Sequence, residues 1–163
     1  MKLAKYVISA AVMCFPAWAS DMVPAKAQSQ PILIKGATLH TVSNGVKQNQ
    51  DLLFENGKIT QIGRNIRGGS NTKVINATGK HVYPGTIVLA TTMGLTEIDA
   101  VRATDDRNEV GSINPEVKAH IAYNTDSEII PTVRTHGITH AQVMPMGGSI
   151  IGQSSVMNTD AWN

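Results

Sequence analysis

The sequence predicts an α+β to α/β chain: a small antiparallel β unit over residues 31–85, then a βαβ unit with a parallel strand pair over residues 86–163. Three observations carry this. Between Pro31 and Gly85, short apolar runs alternate with tight-turn residues. Within that stretch Asn56-Gly57 separates two such runs, and Asn-Gly suits a hairpin turn whose two central residues both need positive φ. After Pro84-Gly85 the texture changes: two apolar, partly β-branched runs are separated by a long polar segment with helix-start signals.

Taken in order, residues 20–30 (SDMVPAKAQSQ) are polar and aperiodic and read as a flexible leader. Residues 32–34 form an apolar run ended by Gly36, and residues 37–42 alternate roughly. Residues 51–55 are expected to pair with 58–62 across Asn56-Gly57. Residues 73–75 and 80–83 flank Asn76-Ala77-Thr78-Gly79 and are expected to form a second antiparallel pair. Residues 86–90 (TIVLA) suit a strand buried on both faces. Asn114-Pro115-Glu116 offers a cap followed by Pro at the first helical position. Asp126 is a second candidate cap, with Glu128 in the first turn and Gly137 as the stop. Pro131 inside that helix predicts a kink or a later true start. Residues 138–144 (ITHAQVM) read as a strand closed by Pro145 and Gly147-Gly148. Strand, helical connection and strand make a βαβ unit with a parallel pair.

Composition narrows the function classes. The 163 residues carry 14 Lys+Arg against 12 Asp+Glu, a net charge of +2, with the basic residues scattered. That excludes the basic stripe of a nucleic-acid binder. The N-terminus has the layout of an export signal: Lys2 and Lys5, an apolar run over residues 6–15, then Pro16 and the small-x-small triplet Ala17-Trp18-Ala19. Its apolar core is too short to span a bilayer. Cleavage is expected after Ala19, or alternatively after Ala27, giving a periplasmic or secreted protein without a membrane anchor. Met13 before Cys14 excludes a lipoprotein. Removal of residues 1–19 takes away Cys14 and leaves twelve basic against twelve acidic residues. A cysteine-free chain suits an oxidising compartment.

Candidate chemistry is sparse. There is no His-x-His, no His-Glu-x-x-His and no Cys pair. His136 and His140 would share a face on a helix, but Gly137 is expected to place them on different elements. His40, His81 and His120 stand isolated in sequence and read as surface or satisfied histidines. Gly147-Gly148-Ser149-Ile150-Ile151-Gly152 has neither dinucleotide nor phosphate-loop spacing and reads as a flexible loop. Glu97, Asp99, Arg102, Asp105, Asp106, Arg107 and Glu109 form a dense charged segment. It could hold a cation or act as an acid–base site, or it may simply be solvated and internally paired. Ser154-Ser155 lacks a nucleophile-elbow context.

Two motifs carry a resemblance. Residues 51–63 (DLLFENGKITQIG) and 74–85 (VINATGKHVYPG) closely resemble the N-terminal β-sandwich of the amidohydrolase superfamily and its entry into the first barrel strand. Residues 137–143 (GITHAQV) resemble the second barrel strand, and the whole likeness spans about residues 31–163. It implies an N-terminal antiparallel β-sandwich, the composite domain, over residues 31–85, then the first one or two βα units of an incomplete (β/α)8 barrel over residues 86–163. It also points to the imidazolonepropionase-like, secreted branch. Such enzymes hold one or two divalent metals, usually zinc, and hydrolyse non-peptide C–N bonds with a metal-activated water.

The same alignment predicts a departure. On Pro84-Gly85, the family's two His-x-His ligands fall on Ala90 and Thr92, and the Asp before them on Val88. A methyl group cannot donate to zinc, and a neutral hydroxyl replaces imidazole poorly. Asn76 stands where the sandwich motif has Asp. A full barrel takes roughly 250 residues, so the expectation is the front third of a longer protein or a truncated gene product. No catalytic or metal-ligating residue and no cofactor is therefore expected for this chain. Glu97, Asp99, Arg102 and His140 are kept as site candidates, with a metal site rebuilt from Glu97, Asp99 or His140 as a third reading. Expected partners are the remainder of the barrel or a second copy, with no nucleic acid and an unassigned substrate. The function readings are an exported amidohydrolase-like chain inactive alone and, as the alternative, a non-catalytic binding or assembly module.

Overall fold

A computed structural model describes residues 24–160. The predicted signal segment, residues 1–19, lies outside the described residues, so its role is not visible in the fold. Residues 24–30 take no helix or strand. They are nonetheless tied down: the Gln28 amide donates to the Phe54 carbonyl and its oxygen accepts from Gly57 N–H, both near 3 Å. Ala25 N–H donates to Asp160 at 3.1 Å.

The N-terminal sheet has five strands: β1 (Ile32–His40), β2 (Val46–Glu55), β3 (Lys58–Gly63), β4 (Lys73–Asn76) and β5 (His81–Val82). Their order is β3-β2-β1-β4, with β5 also on β1. The Asn56-Gly57 hairpin forms as expected, with φ of 50° and 71° at its two central residues. The second expected hairpin does not form. Both β4 and β5 lie parallel to β1, so the sheet is mixed rather than antiparallel. The reason is local. Asn76 Oδ1 accepts from the N–H and hydroxyl of Thr78, making a side-chain turn that bends the chain sideways instead of reversing it. The bend passes a bulge in β1 at Gly36, whose φ of +70° merges residues 32–34 and 37–40 into one curled strand. The alternating inward residues Leu33, Ala37 and Leu39 are all but fully buried, and Ala37 and Leu39 pack with Ala77, Leu52 and Val82. Burying each of the two leucines contributes about 2 kcal/mol.

The C-terminal sheet is β6 (Thr86–Thr91), β7 (Ile138–Val143) and β8 (Ser155–Asn158). β6 and β7 run parallel, as the βαβ pattern requires, and β8 closes back antiparallel on β7. The only α-helix among the described residues, α1 (Ile129–Thr135), starts later than the Asp126 cap predicts, with Pro131 in its first turn where no N–H is needed. Gly137 ends it at φ +83°. The expected helix at Asn114 is absent. Backbone bonds from Asn114 N–H to the Ile150 carbonyl and from Gln153 N–H to the Val117 carbonyl draw that segment alongside the glycine loop instead. The core on this side is Met93, Leu95, Ala119, Ile130, Ala141 and Val143. The second correction concerns β6. It is not buried on both faces, because Ile87 and Leu89 are 58% and 70% exposed and only the opposite face meets the core.

Candidate functional site

The family-type site would sit where β6 ends. Register fixes the geometry there: Val88 faces Ala141 and Thr91 faces Val143, so β6 carries one residue more than β7. The extra residue makes a bulge with Ala90 at φ +54°. Left-handed backbone is costly for a non-glycine residue, and such bulges re-aim side chains at strand ends. Beyond it, Thr91 Oγ accepts from Met93 N–H at 3.1 Å, and the Thr92 carbonyl accepts from Leu95 N–H at 2.9 Å. The Thr91 carbonyl accepts from Met144 N–H, which locks the end of β6 to the end of β7.

The chemistry placed there does not fit a divalent metal. Ala90 offers a methyl group and Thr92 a neutral hydroxyl. Among the described residues no group of three or more His, Cys, Asp or Glu side chains is placed to hold a metal ion.

The charged candidates are engaged in holding loops. Glu97 accepts from the Ser127 hydroxyl at 2.9 Å and from the Asn124 amide at 3.2 Å, tying the segment after β6 to the turn before α1. Ser127 is itself buried, and its hydroxyl accepts from Ile129 N–H at the helix start. Asp99 and Asp105 both pair with Arg107, each at 3.0 Å. Desolvation alone would raise the Asp105 carboxyl. Hydrogen bonds from Arg107 and Thr96, with the Arg107 charge, outweigh it and hold the group below the usual carboxylate range. Arg102 is exposed in a short 3-10 turn, Arg102–Thr104. His140 is exposed on β7 against Thr139 Oγ at 3.1 Å. These four candidates are thus dispersed over a loop, a turn and a strand. His136, which follows α1, and His140 on β7 lie on separate elements, as Gly137 predicts.

Tyr123 packs against the core, where burial first and the Glu97 charge second push its hydroxyl above the ordinary range. Its ring lies over Gly94, where an added Cβ would fall 2.4 Å from a ring carbon. The glycine loop is likewise a packing feature. A Cβ on Gly148 would meet the Ser112 carbonyl oxygen at 2.8 Å, and one on Gly152 the Val117 carbonyl oxygen at 2.6 Å. Ser149, Ile150 and Gln153 N–H groups all donate to these neighbouring carbonyls, so they are not presented to an anion.

Two histidine pairings escape the sequence. His120 Nδ1 lies 3.1 Å from Ser155 Oγ, and His40 Nε2 lies 2.9 Å from His81 Nδ1. The latter two are therefore neighbours, not isolated residues, and Tyr83 stacks on His40 with centroids 4.1 Å apart. Their separations of 35 and 41 residues leave no local signal. The β1–β5 register alone could have revealed the second.

No family model matches the chain. Over 56 residues it is 36% identical to the dihydroorotase of Trichlorobacter lovleyi, covering 34% of this chain and 13% of that protein. Over 81 residues it is 38% identical to human dihydropyrimidinase-related protein 5, covering 50% and 14%. In structure it matches an amidohydrolase from Thermotoga maritima MSB8 with a TM-score of 0.73 and 28% identity, over 80% of this chain and 34% of that one. The chain thus spans about a third or less of the proteins it matches. A curled mixed sheet leading through Pro84-Gly85 into a parallel β/α unit defines the front of a barrel-type hydrolase scaffold. The chain belongs to the amidohydrolase superfamily.

Proposed function

We propose that this chain is an exported amidohydrolase-like protein with no hydrolytic activity of its own. One observation carries the reading: the bulged end of β6 is kept, while Ala90 and Thr92 stand at its ligand positions. In the family a bound divalent metal supplies an activated water for hydrolysis of non-peptide C–N bonds. Here Ala90 has no donor atom and Thr92 contributes one weak oxygen. Their neighbours serve loop and strand contacts, so the chain's own residues fix backbone and fill the core. A non-catalytic binding or assembly role is the second reading. It is supported by the packing around the vacated positions, where the Thr91 and Thr92 backbone bonds are all made.

The test is metal-dependent turnover. The 163-residue chain, incubated with Zn2+ or Mn2+ and a panel of cyclic amides and imides, is expected to show no hydrolysis above the metal blank. Saturable hydrolysis that chelation abolishes would overturn the reading. Export is tested separately by N-terminal sequencing after expression in a Gram-negative host. A periplasmic chain beginning at Ser20 or Gln28 is expected, and a cytoplasmic chain retaining Lys2 and Lys5 would contradict it.

A further inference from the structure

The cluster of His40, His81 and Tyr83 follows from strand alternation. β1 and β5 run parallel with Thr38 opposite His81 and Leu39 opposite Val82. Side chains alternate between faces, so Leu39 and Val82 point together into the core cluster. His40, His81 and Tyr83 must then share the opposite face. Thr38 N–H donates to the Lys80 carbonyl at 2.9 Å, which pins β5 at this register. Tyr83 stacks on His40 at an interplanar angle of 15°, fixing the ring so that its Nε2 points at His81 Nδ1. His40 and Tyr83 also border an open cleft of about 1020 Å³, lined further by Thr86, His136 and Thr139.

We propose that His40 Nε2 and His81 Nδ1 form a two-imidazole site for a divalent late transition-metal ion, Cu2+ above all, with water or a small ligand from the cleft in the remaining positions. The argument is geometric. With metal–nitrogen bonds of about 2.0 Å, adjacent positions of a square-planar ion hold two nitrogens about 2.8 Å apart, and a tetrahedral ion about 3.3 Å. The observed 2.9 Å fits the square-planar arrangement, which Cu2+ and Ni2+ favour and Zn2+ does not. As the rings stand, one nitrogen donates its proton to the other. To bind metal, the donating ring adopts its other tautomer: the proton moves to that ring's outward nitrogen and both facing lone pairs turn to the ion. No proton is lost and no residue needs to leave its rotamer. Imidazole is a strong ligand for these ions, and Cu2+ stands highest in the affinity order. The site is separate from the end of β6 and does not rest on the family's metal chemistry.

The experiment is a Cu2+ titration of the 163-residue chain against glycine as competitor, followed by electron paramagnetic resonance and by histidine ring signals in NMR. The site predicts hyperfine structure from two imidazole nitrogens, and substoichiometric Cu2+ should broaden the His40 and His81 rings before the other histidines. His40→Gln and His81→Gln should each weaken binding at least about tenfold, and His120→Gln should leave it unchanged. Zn2+ should bind more weakly than Cu2+. Undiminished Cu2+ binding in the double variant H40Q/H81Q, first broadening at another histidine, or no binding above the competitor would each overturn the proposal. The broadening order is read on the unsubstituted chain, so it decides the matter even where a variant fails to fold.

Discussion

In the N-terminal sheet the resemblance motif is intact and fully used, whereas at the end of β6 the backbone is kept and the chemistry is gone. Asp51, the first residue of the sandwich motif, is 5% exposed, and its two oxygens accept from Gly36 N–H and Ile66 N–H, each at 2.9 Å. One carboxylate thereby satisfies the bulge of β1 and the turn after β3 together. Asn56-Gly57 makes the hairpin. At β6 the bulge survives with Ala90 in left-handed backbone, but no ligand projects from it. The difference separates two roles a family motif can have. Residues that hold the fold persist for as long as the fold does, and residues that hold a metal can be lost without disturbing it.

That contrast can be broken at its strongest point. Asp51→Ala orphans two buried N–H groups and removes two charge-assisted bonds, and should lower stability by about 3 kcal/mol. Chemical denaturation checks it, and a loss below about 1 kcal/mol would show that water replaces the carboxylate. In the second region the expected weak points are glycines. Gly148→Ala and Gly152→Ala each place a Cβ against a backbone carbonyl at positive φ, and should cost about 2 kcal/mol by the same measurement. If both are neutral, the glycine loop is not packed as described.

The acid limb offers a subtler comparison. The Asp105 carboxyl is held below its ordinary value, so it contributes stability that is complete above that value and lost as pH falls through the lowered one. Asp105→Asn should therefore lower the melting temperature at neutral pH and flatten its fall below about pH 4. An unchanged acid limb would place that dependence elsewhere. The smallest effect expected is at the vacated site. Ala90→Gly relieves the left-handed backbone at the cost of unfolded-chain freedom, and should raise stability by about 0.5 kcal/mol. A clear loss would show that the alanine methyl has a packing role.

Much of this was legible in sequence, but unevenly. Asn56-Gly57, the parallel pairing of β6 with β7 and the helix stop at Gly137 all follow from short-range backbone preferences, which survive any tertiary setting. Asn76-Ala77-Thr78-Gly79 misled because Asn and Gly suit a reversal equally well. Only the bulge at Gly36 and the burial of Ala77 decide for a sideways bend. Asn114-Pro115 misled for a related reason, since cap chemistry cannot reveal that the segment will bond to residues 150–153 instead of to itself. The loss at Ala90 and Thr92 was readable by alignment on Pro84-Gly85. The pairing of His40 with His81 was not, because it depends on a strand register that only long-range contacts set.

The account's central claim is that the family scaffold is present without the family metal site. Zinc content after equilibration with Zn2+ and gel filtration tests it most directly, measured on the chain carrying His40→Gln and His81→Gln so that the outer-face histidines do not contribute. The account predicts far less than one zinc per chain. One or two zinc ions per chain, released by Ala90→Gly or Thr92→Val, would contradict it.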